Sequence, residues 1–103
     1  MLTREQILAR KTGRGTATLP DGSTVGIRAM TRDEVIEMQA IEILADKDNF
    51  MIATGMTDPK MSLEDVAAWA ASGDAGDLIA VSDAIAELSG IKQGAGKSNV
   101  AAA

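Results

Sequence analysis

Residues 31–45 read TRDEVIEMQAIEILA and carry the strongest helix signal in the chain. Thr31 stands where its side chain caps backbone amides, Glu34 three residues on reaches back to the Thr31 amide, and Met30 and Val35 hold the positions of a hydrophobic staple. Val35, Met38, Ile41 and Leu44 then recur at helical spacing, and Ile36 and Ile43 widen the stripe. One face of this helix must therefore be covered by the rest of the chain.

On the N-terminal side, Thr3 and Gln6 form a second capping box ahead of Ile7 and Leu8, which predicts a short helix that Gly13 and Gly15 break. Across residues 16–29 the pattern changes to alternation. Ala17 and Leu19 share one strand face, Val25 and Ile27 another, and Pro20-Asp21-Gly22 supplies turn chemistry between them. An isolated hairpin is marginal in water, so its apolar face is expected to lie against the Thr31 helix.

On the C-terminal side, Asp46-Lys47-Asp48-Asn49 either interrupts the helix or lies on its wet face. Phe50, Met51, Ile52 and Ala53 then lead to Gly55, read as a left-handed stop with Pro59 just beyond. Ser62 caps a third helix with Asp65 at the box position and Val66 and Trp69 on one face. After a loop at residues 73–76, Asp77 opens the last helix, where Leu78, Val81, Ile85 and Leu88 form a stripe. Gly90 is placed to end that helix, with Ile91 closing the cap by an apolar contact. The fold class is α+β, a mostly helical domain of about four helices with one N-terminal β-hairpin, spanning residues 1–91. Residues 92–103, KQGAGKSNVAAA, carry too little bulk to pack and read as a mobile tail.

Composition narrows the function classes. With one Phe, one Trp and no Tyr, the 46% apolar content rests on Ala, Ile, Leu, Val and six Met, which favours helix packing over a β-sandwich. A single domain of this length buries about 60–65% of the surface its unfolded chain exposes. The absence of Cys removes disulfides and thiolate metal sites, and a reducing cytoplasm fits. No segment approaches the roughly 18 apolar residues of a membrane span.

The net charge of −5 is unevenly spread. Residues 1–32 hold six basic and two acidic groups, whereas residues 33–91 hold two basic and thirteen acidic. Such a surface confers solubility, and it also allows head-to-tail contact between copies. An acidic chain with so few aromatics lacks the phosphate-binding stripe and stacking platform of a nucleic-acid binder.

Two motifs tempt and fail. Gly94-Ala95-Gly96-Lys97-Ser98 looks like the end of a phosphate-binding loop, but the position that requires Gly is Ile91 and only five residues follow Ser98. Asp46-Lys47-Asp48-Asn49 resembles the start of a calcium loop, yet Phe50 holds the third ligand position and Thr57 the twelfth. With no His, Cys or Tyr, acid–base work near neutrality would rest on carboxylates or Lys, and Ser62, Ser82 and Ser89 have no imidazole to activate them. An enzyme is the weakest class, and no cofactor or metal is expected.

Met51, Met56 and Met61 cluster near Phe50 and Trp69. The plain reading is that they fill a core short of aromatics. The functional reading is that Met51, Met56, Met61 and Trp69 lie near an adaptable partner-binding surface, since Met is common on such surfaces and large side chains concentrate binding energy.

The opening MLTREQILA, the hairpin leading into TRDE, the segment ATGMTDPKMSLEDVAAW and the ending IAELSGIKQGAGKS, taken in succession, resemble tail assembly chaperones of long-tailed bacteriophages and related prophages. The similarity covers nearly the whole chain in order and lies in the succession, not in any one motif. It implies a small α+β fold and a non-enzymatic role in the cytoplasm of the host bacterium. Such chaperones associate with the tape measure protein, keep that helical rod soluble, help recruit major tail protein, and are generally absent from the finished particle.

The resemblance also implies a longer product made by a programmed −1 frameshift, which would itself be a partner. After Gly90 only Gly96-Lys97 has the coding capacity for a slippery heptamer, written G GGA AAA or G GGA AAG, which would leave this chain as the shorter form. Two other classes stand beside this one: a structural tail or head–tail connector subunit, and a small adaptor unrelated to phage.

Overall fold

The computed structural model describes residues 1–91, which form an α+β domain of five helices and a three-stranded antiparallel sheet. In chain order these are α1 (Arg4–Ala9), β1 (Arg14–Thr18), β2 (Thr24–Arg28), α2 (Arg32–Gln39), α3 (Leu44–Gly55), β3 (Met56–Asp58), α4 (Leu63–Ser72) and α5 (Ala75–Leu88). The expected tail at residues 92–103, including the Gly96-Lys97 position, lies outside the described residues.

Capping chemistry fixes three of the helix starts. Thr3, Thr31 and Ser62 each accept from the amide three residues on, while Gln6, Glu34 and Asp65 return the bond to the cap amide. Each such cap stabilises its helix start by about 1 kcal/mol. The end of α5 is equally well defined. Ile91 N–H donates to the Ala86 carbonyl at 2.9 Å and Gly90 N–H to the Glu87 carbonyl at 3.1 Å, with Gly90 at φ 75°. This is a Schellman motif, and a residue with a Cβ would be strained at that φ.

The sheet has the order β1-β2-β3 and packs on α5, not on α2 as the sequence suggested. Ala17 and Ile27 point inward from β1 and β2 to meet Val81, Ile85 and Ala86, and Met51, Ile52, Met56 and Val66 complete the core. Ile52, Val66, Val81 and Ile85 are wholly buried, and each such side chain stabilises the fold by about 1.5–3 kcal/mol relative to exposure. Helix α5 is therefore the central element, with the sheet on one side and α3 on another.

Four further expectations need correction. The helix predicted across residues 31–45 is two helices: α2 closes with Ala40 and Ile41 amides bonding to Glu37 and Met38 carbonyls, and Ile43 turns extended before α3. The turn lets Met38 and, beyond it, Met51 and Ile52 reach one core, while Ile36, Ile43 and Leu44, expected in the stripe, are exposed. Gly55 is not a left-handed stop but the last residue of α3, and an added Cβ there would come within 2.6 Å of Ile85. The hairpin gains a third strand, because Met56 and Asp58 pair with Ile27 and Gly26 across a bulge. Helix α5 starts two residues before Asp77, at Ala75.

Candidate partner-binding surface

The Ser62 cap determines how Leu63 is presented. Ser62 Oγ accepts from the Asp65 amide at 3.0 Å, which makes Leu63 the first helical residue and turns Val66, three positions on, into the core. Leu63 is left 53% exposed. Phe50 on α3 and Ile41 from the α2–α3 break, both half-buried, line the same groove, which has a volume of about 860 Å³. The exposed carboxylates Asp46 and Glu64 border it.

A second cleft of about 390 Å³ adjoins this groove through Phe50, Ser62 and Leu63 and contains Met61 and Lys60. Its wall is a fixed ion pair, in which Arg28 Nη1 and Nη2 donate to Glu34 Oε1 and Oε2 at 2.9 and 2.8 Å. Hydrogen bonding from Arg28, with smaller help from Thr31, outweighs partial burial and holds the Glu34 carboxyl down at about 2. Glu34 is therefore charged at any ordinary pH and acts as a fastener between β2 and α2, not as a proton donor.

The four residues singled out for partner contact are not brought together. Met51 and Met56 are each 2% exposed and belong to the core, so a client cannot reach them in this conformation. Met61 is half-buried in the cleft beside Phe50. Trp69 is half-buried against the core from α4 and lines neither the groove nor the cleft. Its ring lies so close to Gly73 that an added Cβ would stand 2.5 Å from Trp69 Cδ1.

Ile41 and Leu63 went unnoticed in the sequence for different reasons. Ile41 looked like one member of an unbroken stripe. Leu63 stands three residues before Val66, so helical spacing places the two on one face and carries no sign that Leu63, in the first turn, is left open.

Other large apolar side chains are open as well. Leu2, Ile7 and Leu8 surround α1, none of whose residues is buried, and Ile36, Ile43, Leu44 and Ile79 are each at least half exposed. Among the described residues no His, Cys, Asp and Glu cluster is placed to hold a metal ion, and no helix is long and apolar enough to cross a membrane. Compared with protein families, with characterised proteins and with solved structures, the chain matches none.

Proposed function

We propose that the chain is a tail assembly chaperone of a long-tailed phage or prophage. It binds the tape measure protein without catalysing a reaction, keeps that rod soluble and helps recruit major tail protein in the host bacterial cytoplasm. It then stays out of the finished particle. A longer −1 frameshift product made at Gly96-Lys97 acts alongside it.

The assignment to this family rests on the resemblance of the four sequence segments. The structural observation that carries the reading is the amount of apolar side chain left open on a domain whose own core is complete. Leu8 is 67% exposed, Leu44 69% and Leu63 53%, while Ile52, Val66, Val81 and Ile85 are sealed inside. Residues that the core does not need and water does not favour mark a surface for another polypeptide. Acidic groups between them, thirteen across residues 33–91, keep such a complex from clumping. Client contact falls to Met61 and Trp69, whose side chains are partly open.

Co-expression with the tape measure protein tests this. The chain should raise the soluble fraction of that protein and co-purify with it, and should be missing from purified particles. Its presence in particles at a fixed stoichiometry would instead make it a structural tail or connector subunit.

A further inference from the structure

We infer that the outer edge of β1 accepts an extended acidic strand from a partner polypeptide, which adds a fourth strand to the sheet. Strand β2 lies in the middle of the sheet, so β1 has a strand neighbour on one side alone. Ala29 N–H donates to the Gly13 carbonyl and Leu19 N–H to the Ser23 carbonyl, each at 2.7 Å. The register between them runs unbroken from Arg14 opposite Arg28 to Thr18 opposite Thr24. Bonded pairs alternate in an antiparallel ladder, so Gly13, Gly15, Ala17 and Leu19 turn their backbone groups toward β2. Arg14, Thr16 and Thr18 turn their amides and carbonyls to the free edge, where nothing among the described residues bonds to them.

This edge is also open. Arg14, Gly15, Thr16 and Thr18 are exposed, and neither a proline nor a bulge interrupts the pairing of β1 with β2. Such a row of unpaired groups is a template for main-chain pairing with another chain. Thr16 and Thr18 are β-branched and project from the face opposite buried Ala17, where they can pair across to an added strand.

Charge selects the occupant. Arg14 stands directly opposite Arg28, a like-charge pair that weakens a sheet. Glu34 takes up Arg28 through both of its terminal nitrogens, whereas Arg14 has no ion pair among the described residues. Arg10 and Lys11 precede it, and no acid lies between Glu5 and Asp21. A strand that brings Glu or Asp beside Arg14 relieves the repulsion, whereas a second copy of β1 would bring another Arg14. The proposal goes beyond client contact at Met61 and Trp69 and does not rest on it.

NMR of the full chain, titrated with the capped peptide Glu-Val-Thr-Val-Glu, tests the proposal. Amide exchange should slow at Arg14, Thr16 and Thr18 by about tenfold when the peptide stands at roughly ten times its Kd. Exchange at Gly15 and Ala17, whose amides already face β2, should stay as it was. The capped peptide Lys-Val-Thr-Val-Lys should leave all five unchanged. Thr16→Pro removes one outward amide without touching the β2 ladder, and should abolish the slowing at Arg14 and Thr18. Arg14→Glu, at an exposed side chain, should reverse the preference, so that the lysine peptide protects the edge and the glutamate peptide does not. Circular dichroism checks that both variants fold, and Arg14→Glu decides the matter if Thr16→Pro disturbs the strand.

Exchange at Arg14, Thr16 and Thr18 that ignores the glutamate peptide throughout the titration would overturn the proposal. So would equal slowing by the two peptides, or a folded Thr16→Pro chain that still shows the slowing. Slowing that grows with protein concentration alone would give the edge to a second copy and overturn it as well. None of these readouts bears on tape measure solubility, so this proposal and the client reading fail separately.

Discussion

The Glu34 carboxylate serves two elements at once: Oε1 accepts from the Thr31 amide at 2.8 Å and from Arg28 Nη1 at 2.9 Å, and Oε2 takes Arg28 Nη2 at 2.8 Å. The acid that completes the α2 cap therefore also pins α2 to the end of β2. With its pKa lowered from 4.5 to about 2, Glu34 contributes stability that is fully present above its unfolded value and is lost as pH falls toward about 2. Glu34→Gln keeps an acceptor for the cap but loses the ion pair, and should destabilise the fold by about 1–2 kcal/mol at neutral pH, allowing for partial exposure. Urea midpoints compared at neutral and strongly acid pH should show the gap between the two proteins closing in acid.

Asp48 has the opposite sign. Partial burial on α3, with Asp83 of α5 adding like charge, raises its pKa, so the folded state holds the proton more tightly than the unfolded state. The carboxylate therefore weakens the fold as pH rises through its folded pKa. Asp48→Asn should stabilise the protein at neutral pH by up to about 1 kcal/mol, with the benefit disappearing in acid. Thermal melts at the two pH values check this.

Gly55 meets Ile85 so closely that an added methyl would lie 2.6–2.8 Å from three side-chain atoms of Ile85. Gly55→Ala should destabilise by about 1–3 kcal/mol through overpacking, even though Ala is the better helix former. In combination with Ile85→Ala, which opens the space, the two effects should fall short of additive, and a double-mutant cycle from denaturant midpoints measures the coupling.

Ser89 Oγ accepts from the Met30 amide at 2.8 Å, joining the residue after α5 to the residue before the Thr31 cap. Ser89→Ala leaves that amide, on a residue only 6% exposed, without this partner and should cost about 1–3 kcal/mol. Hydrogen exchange at Met30 should accelerate in the variant.

What the sequence revealed most reliably was local. The boxes at Thr3, Thr31 and Ser62 depend on side chains one turn away and the stop at Gly90 on backbone groups equally near, and all four are present. The mixed α+β class followed from the change of period between residues 16–29 and the stretches around them. What stayed hidden depended on distant partners. The break after Ala40 contains neither Gly nor Pro, so periodicity carries no mark of it. Strand β3, three residues long, cannot show a period of two, and it pairs beside Gly26, where a Cβ would meet Thr57 Oγ1 at 2.9 Å. Gly55 looked like punctuation because its actual constraint, Ile85, lies thirty residues away. At the candidate surface, Met51 and Met56 drew attention by composition but went into the core, while Leu63 and Phe50 formed the groove.

The central claim is that this protein works by covering apolar surface on another polypeptide. Light scattering of purified tape measure protein diluted out of denaturant, with and without the chain, tests it directly. Scattering should fall as the chain is added and level off at a fixed ratio, with Met61→Glu less effective than the unmodified protein. Scattering traces that coincide whether or not the chain is present would contradict the claim.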